Sequence, residues 1–236
     1  MIPFLMRASV WRKCLCPSSP YPPLRLVVGP YDEQIMLDIN RTFSDVDWFK
    51  PHVETIRNIL NTFSVVNEGF GYPQGLNYLA FPLFYVYYND KPKSAVEDTF
   101  YSLQSLVRVV LPLYPLHCKD SSAYETICSV ANLVIFKCYE KEPSLSILFS
   151  DTHMPFITSL VSSMMPTMYG NVFSFQDTLL LWDDILSTSC NAMFKSIVRV
   201  MVQSILFHKN MFLHLPAEKS MMLFHRTMGA SVSVCI

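Results

Sequence analysis

Between Gly75 and Asn89 the chain reads Leu-Asn-Tyr-Leu-Ala-Phe-Pro-Leu-Phe-Tyr-Val-Tyr-Tyr, a run that turns an apolar side in nearly every direction when wound into a helix. A helix without a polar face must be enclosed, either by lipid or by the rest of its own protein. Lipid is excluded by length, because Asn89, Asp90 and Lys91 close the run well short of the ~20 residues that a membrane span requires. The only other long apolar run, Ile197 to Leu206, carries Arg199 and Gln203. No transmembrane segment is expected. The stretch 74–88 is therefore predicted to be a central buried helix, and the remaining sequence must supply helices with one apolar face each to cover it.

Those helices are legible from spacing. Phe4, Leu5, Val10, Trp11 and Leu15 among Arg7, Arg12 and Lys13 predict a short amphipathic helix beginning at Pro3, with Trp11 as a core anchor. Prolines crowd the segment Cys16–Pro30, which reads as a surface connection. From Tyr31 the spacing of Ile35, Ile39 and Phe43 is helical, with Asp32 as the expected cap and a stop near Thr42 and Ser44; Arg41 falls at the helix end. Residues 48–66 place Phe49, Val53, Ile56, Ile59, Leu60 and Phe63 at three- and four-residue steps, and Asn67 to Pro73 must then turn. Ser94 with Glu97 gives the pattern of a capping box before a helix over 96–111. Further helices are predicted over 122–139, in pieces over 143–168 broken at Pro155 and Pro166, over 174–186 and over 193–212. Past Pro216 the pattern fades. No strand-like alternation and no repeat of fixed period rivals these signals, so the fold class is all-α. With 236 residues, half of them apolar, the chain can bury a large core unaided.

The same composition narrows the function classes. A net charge of −1 with scattered basic residues gives no general attraction to nucleic acid. Seven cysteines without a C-x-x-C pair fit reduced thiols in the cytoplasm, and the opening residues lack the apolar core and cleavage site of a secretion signal. The six histidines form no spaced ligand set, no serine or cysteine sits in a nucleophile elbow, and no glycine-rich phosphate loop is present. The expectation is no metal, no cofactor and no nucleotide bound by this chain alone.

Two stretches carry chemistry instead. Ile35-x-x-Asp38-x-x-Arg41-Thr42-Phe43 ends a helix on an arginine, and Gly71-Tyr72-Pro73-Gln74-Gly75-Leu76-Asn77 sets a glutamine between glycines in a turn. An isolated arginine at a helix end is commonly a solvated side chain or a partner for the helix dipole, here also for Asp38 three residues earlier. A lone glutamine can simply cap its own helix. Together they are the pair of side chains that GTP hydrolysis needs: a carboxamide can orient the attacking water, and a guanidinium can neutralise charge that develops on the transferring phosphoryl group.

In this order and separation the two stretches resemble the fingerprints of TBC domains, the GTPase-activating domains for Rab-type small GTPases. Ile2-Pro3 with Arg7 and Val10-Trp11, Arg57-Asn58-Ile59-Leu60, and Leu181-Trp182-Asp183-x-x-Leu186 are similar to further motifs of that family, and the similarity runs along residues 2–210, leaving 211–236 as a weakly patterned C-terminal helix or tail. The resemblance implies a single compact unit of many helices in two subdomains. It implies Arg41 and Gln74 as catalytic fingers supplied to a GTP-bound Rab, with Asp38, Tyr72, Gly75 and Asn77 supporting them and Trp182 and Asp183 in packing and helix anchoring. Ser44 and Leu76 depart from the usual pattern, where proline and methionine or isoleucine are common. The implied setting is cytoplasmic and peripheral to endomembranes, with recruitment through the GTPase and a role in membrane traffic. The alternative from another class is an adaptor that docks a GTP-loaded Rab without accelerating it.

Overall fold

The computed structural model describes residues 2–18, 20–114, 121–188 and 192–230, and within them the chain is helix and turn without a strand. In chain order the helices are α1 (Phe4–Leu15), α2 (Asp32–Arg41), α3 (Val53–Val66), α4 (Leu76–Asp90), α5 (Ala95–Val110) and α6 (Ser121–Lys141). They continue with α7 (Met154–Met164), α8 (Phe175–Ser187), α9 (Met193–Phe207), α10 (Lys209–His214) and α11 (Ala217–Thr227). Proline sets many of the boundaries: Pro92 and Pro143 open 3₁₀ turns, Pro155 lies in the first turn of α7, and Pro3 and Pro216 precede α1 and α11. His117, Cys118, Cys190 and Cys235 lie outside the described residues.

α4 is the centre. Leu76, Leu79, Ala80, Leu83 and Tyr87 are wholly buried, and α1, α2, α3, α5 and α8 all pack on this helix. Pro82 sits inside it, where proline lacks the N–H that would bond the Tyr78 carbonyl four residues back. That carbonyl instead faces Gly170, at which a β-carbon would stand only 3.2 Å away. Helices α1–α5 form one packed group and α6, α7 and α9–α11 a second; α8 bridges them through α1 and α4 on one side and α9 on the other.

The bridge is closed by a buried charge pair. Arg7 of α1 donates from Nε and Nη2 to the two carboxylate oxygens of Asp183 of α8 at 2.8 and 2.7 Å, and Trp11 Nε1 adds a third bond at 3.1 Å. Beside it, the Trp11 and Trp182 rings lie 5.6 Å apart and Trp182 Nε1 donates to the Met168 carbonyl at 3.1 Å. Burial of both ions is tolerable because each is matched by hydrogen bonds of complementary geometry.

Several local expectations are corrected. Asp32 does not cap α2; it is the first helical residue, and its carboxylate accepts bonds from Arg57 Nε and Asn61 Nδ2, both at 2.7 Å. Tertiary partners from α3 outcompete the local cap. The capping box at Ser94 does not form, since Ser94 Oγ donates to Asp98 and Glu97 accepts the backbone N–H of Leu24. The stretch 48–66 divides at His52 into a 3₁₀ helix (Asp47–His52) and α3, and the helix over 193–212 breaks at His208. The proline-rich connection runs over the surface as expected, and it is pinned to α3 there: Val27 N–H donates to Thr62 Oγ1 and Gly29 N–H to Asn61 Oδ1. The weakly patterned C-terminus still folds as α11, with Phe224 buried against Phe212 and His208.

Two predictions follow from these bonds. Asp183→Ala leaves the Arg7 guanidinium buried without its partner and is expected to lower unfolding stability by ~3 kcal/mol, whereas an Arg7→Met/Asp183→Leu pair recovers most of that loss; urea midpoints measure both. Asp32 is held down to about 2 from an ordinary 3.8 by its bonds to Arg57 and Asn61. A carboxylate with a depressed folded value contributes stability above its unfolded value and loses it as pH falls toward the folded one. Thermal melts of wild type and Asp32→Asn should therefore converge on acidification from 4 to about 2 and differ by a constant amount above 5.

Candidate functional site

The end of α2 is shaped by its own last turn. Thr42 leaves the helix in an extended conformation, donates its hydroxyl to the Asp38 carbonyl at 2.6 Å and receives the Asn77 amide on the same oxygen. Phe43 then adopts a φ of +45°, a region bulky residues avoid. Its ring is held there by Phe175 at 5.0 Å and Tyr78 at 5.6 Å, so aromatic burial offsets the backbone cost. The result is that Arg41, the last residue of the helix, stands outside the core with its side chain 57% exposed.

The second stretch reaches the same place from α3. Gly71 takes φ +64° as the chain leaves that helix, and a β-carbon there would lie 2.8 Å from the Tyr31 hydroxyl. Gly75 caps α4 with φ +101°, pressed against Thr167 Cγ2. Between them Tyr72 points inward and Gln74 outward: Tyr72 is buried and Gln74 exposed.

One buried carboxylate connects the two stretches. Asp38 Oδ1 accepts from Arg41 Nη2, and Asp38 Oδ2 accepts the Tyr72 hydroxyl at 3.0 Å. Burial and the neighbouring Asp38 charge push the Tyr72 phenol well above its usual range, so it remains a donor at any physiological pH. Arg41 spends one terminal nitrogen on Asp38. A guanidinium carries five N–H donors, so others stay available to an incoming anion.

Arg41, Gln74, Gly75 and Asn77 line one open groove of about 520 Å³. Its far wall comes from the end of α7 and the turn after it, through Ser162, Ser163, Pro166, Thr167 and Asn171, with Tyr78 and Tyr114 between the walls. The wall is internally tied: Thr167 donates to Asn171 Oδ1 at 2.7 Å, Asn171 Nδ2 to the Ser163 carbonyl at 2.9 Å, and Tyr114 to the Pro166 carbonyl at 3.3 Å. Met168 and Tyr169 both have positive φ, and the turn is pinned by the Trp182 indole and by the Tyr169 hydroxyl on the Ile197 carbonyl at 2.6 Å. Among the residues lining the groove Arg41 alone is charged, so it presents a single cation among neutral polar groups to whatever docks there.

Trp182 and Asp183 do not line this groove; they lie at the junction of α1 and α8, and Trp182 bonds the Met168 carbonyl in the turn that carries part of the groove's far wall. Residues that sequence reading missed are Thr42, which links Asp38 to Asn77, and the whole 162–171 wall. Thr42 lies within the first stretch, and its hydroxyl at a helix end is the signal that could have found it. The wall carries no signal of its own, because it reaches the groove only through the packing of α7. Among the described residues no cluster of three or more metal-ligating side chains and no helix long and apolar enough to cross a membrane is present.

Comparison with known proteins points the same way as the two stretches. The family model described as the Rab-GTPase-TBC domain matches residues 6–213. Growth hormone-regulated TBC protein 1 of Rattus norvegicus is 26% identical over 165 residues, covering 67% of this chain and 52% of the relative. Its Homo sapiens counterpart is 26% identical over 171 residues, 70% of this chain and 47% of the relative. The chain thus spans about half the length of these curated relatives. The fold is similar to the crystal structure of the Ypt/Rab-GAP domain of Gyp1p, with a TM-score of 0.69 at 15% identity over 98% of this chain and 79% of that one. It is equally similar to that of the Chlamydomonas flagellar RabGAP TBC domain, with a TM-score of 0.69 at 16% identity over 99% and 78% of the two chains.

The geometry around Gly75 yields a stability test. Gly75→Ala forces a β-carbon onto Thr167 Cγ2 at 2.8 Å and fixes an alanine at φ +101°, for an expected loss of about 1–3 kcal/mol in a urea titration. Gly75→Ala/Thr167→Ser removes the methyl while keeping the hydroxyl, and should recover the steric part of the loss but not the backbone part.

Proposed function

This chain belongs to the Rab-GTPase-TBC domain family, and from that premise we propose that it stimulates GTP hydrolysis by a Rab-type small GTPase, supplying Arg41 and Gln74 in trans. The observation that carries the proposal is that an arginine and a glutamine, thirty-three residues apart in sequence, both line one open groove with no carboxylate among its lining residues. A GTPase presenting its bound nucleotide to this groove meets one cation and one free carboxamide. Arg41 neutralises charge spreading over the γ-phosphoryl oxygens as the bond to the leaving group loosens. Gln74 holds the attacking water in line with that bond, a task otherwise left to the GTPase itself.

Asp38 and Tyr72 act behind the fingers. With one guanidinium nitrogen tethered to Asp38, Arg41 loses rotamer freedom before the partner arrives, so less of the binding energy goes into ordering it. Tyr72 keeps the second Asp38 oxygen occupied, which fixes the carboxylate's direction. Asn77, through Thr42, locks the end of α2 to the start of α4 and so holds the two fingers in register. The GTP-bound form is the natural partner, since the charge that Arg41 meets lies on the γ-phosphate. Association with endomembranes would follow from the GTPase that carries the nucleotide, as would a place in membrane traffic.

Single-turnover hydrolysis over a panel of GTP-loaded Rab proteins tests this. Arg41→Ala and Gln74→Ala are each expected to remove most of the stimulation, a loss on the order of 10² to 10³ in rate. Arg41→Lys rescues little, because an ammonium cannot span several oxygens as a planar fork does. Asp38→Asn is expected to retain Rab binding while lowering the rate. A chain that binds GTP-loaded Rab, binds GDP-loaded Rab no better when aluminium fluoride is added, and leaves the rate unchanged would be an adaptor instead; a catalyst prefers the transition-state mimic.

A further inference from the structure

A second groove lies between α6 and α9 and shares no lining residue with the first. It encloses about 470 Å³, within the size range of pockets that accept a ligand or a short run of side chains. Its floor is apolar, formed by Leu133 of α6 and by Phe194, Val198 and Val202 of α9. Its rims are basic, with Lys137 and Lys141 on one side and Lys195 and Arg199 on the other. No carboxylate lines it.

That charge is local, because the whole chain carries a net −1. Two of the four cations already have partners: Lys137 donates to Glu140 at 2.6 Å, and Arg199 is paired with Asp184 of α8. Lys141 and Lys195 are exposed, and among the described residues no carboxylate lies within ion-pair distance of either.

The spacing is helical on both walls. Positions 133, 137 and 141 on α6, and 194, 198 and 202 on α9, follow four-residue steps, so each wall runs for about 12 Å. The valines at its base are recessed, Val198 and Val202 being only 6% and 4% exposed, while Leu133 stands at its edge 40% exposed. A flat bilayer surface meets the lysines and Leu133 but not the two valines. A convex apolar stripe reaches both, as in the helix-in-groove mode of recognition.

We propose that the α6–α9 groove receives an amphipathic helix of a partner protein, one that seats an apolar stripe on Phe194, Val198 and Val202 and carries acidic side chains along its flanks opposite Lys141 and Lys195. Such a site recruits or selects a partner independently of the Arg41–Gln74 groove.

The test uses the full chain and a fluorescein-labelled, hydrocarbon-stapled helical peptide with leucines on one stripe and glutamates on both flanks; a second peptide replaces the glutamates by lysines. Binding is read by fluorescence anisotropy and located by amide hydrogen exchange. The glutamate peptide is expected to bind, to protect amides of α6 and α9 and to weaken as salt rises, while the lysine peptide binds at least tenfold less well. Lys141→Glu/Lys195→Glu should weaken the glutamate peptide at least tenfold and bring the lysine peptide on. Lys141→Gln/Lys195→Gln gives an intermediate loss and serves where the reversed pair fails to melt cooperatively. Absence of binding, equal binding of both peptides, or glutamate binding indifferent to the Gln pair would overturn the proposal. So would co-sedimentation with phosphatidylserine vesicles that the Gln pair abolishes while the peptide stays unbound, which would reassign the groove to a lipid surface.

Discussion

A helix with no polar side is the constraint under which the rest of this molecule is arranged. α4 has to be covered all round, and five other helices do so. Apart from the partly buried rings of Tyr78, Tyr85 and Tyr88, its sides are committed to packing, and its ends reach the surface. The N-terminal end, at Gly75, is where Gln74 emerges. Gln74 thus stands at the mouth of a helix that five others enclose, and a well-packed support of that kind is what the proposed role of positioning a water molecule calls for.

Asp38 turns that scaffold into a site. Alone, a carboxylate 2% exposed would be costly, but here one oxygen meets the Arg41 guanidinium and the other a phenol that cannot ionise at ordinary pH. The same group therefore balances its own burial, aims an exposed arginine and holds the loop that precedes Gln74. The strained Phe43 works toward the same end: its ring is spent on packing so that the residue two before it can face solvent. Under the proposed function, stability and activity would not be traded against each other at separate positions; they would share Asp38.

The two grooves differ in chemistry as much as in place. One has a single cation among hydroxyls and amides, which under the proposed function meets the negative charge developing on a partner's nucleotide. The other combines several cations with a recessed apolar floor, fit for a shaped amphipathic surface. A chain of near-zero net charge can carry both because its ion pairs are used selectively: Asp183, Asp32 and Asp184 are committed to Arg7, Arg57 and Arg199, which leaves Lys141 and Lys195 without a carboxylate at hand.

The all-helical class, the central place of the apolar run that became α4 from Leu76 rather than Gln74, the core role of Trp11 and the position of Arg41 at a helix end were all determined by the sequence itself, since they rest on periodicity, apolarity and local breakers that act within a few residues. Where local reading failed, a tertiary partner had taken over a local one: Asp32 left its capping role for Arg57 and Asn61, and Glu97 turned from Ser94 to the Leu24 backbone. Only the folded structure decided that Asp38 joins Arg41 to Tyr72, that a neutral wall from 162–171 faces the two side chains, and that α6 and α9 frame a second groove. Those features depend on how helices pack across long sequence separations, and packing is set by the shapes of all the buried side chains together rather than by any short pattern along the chain.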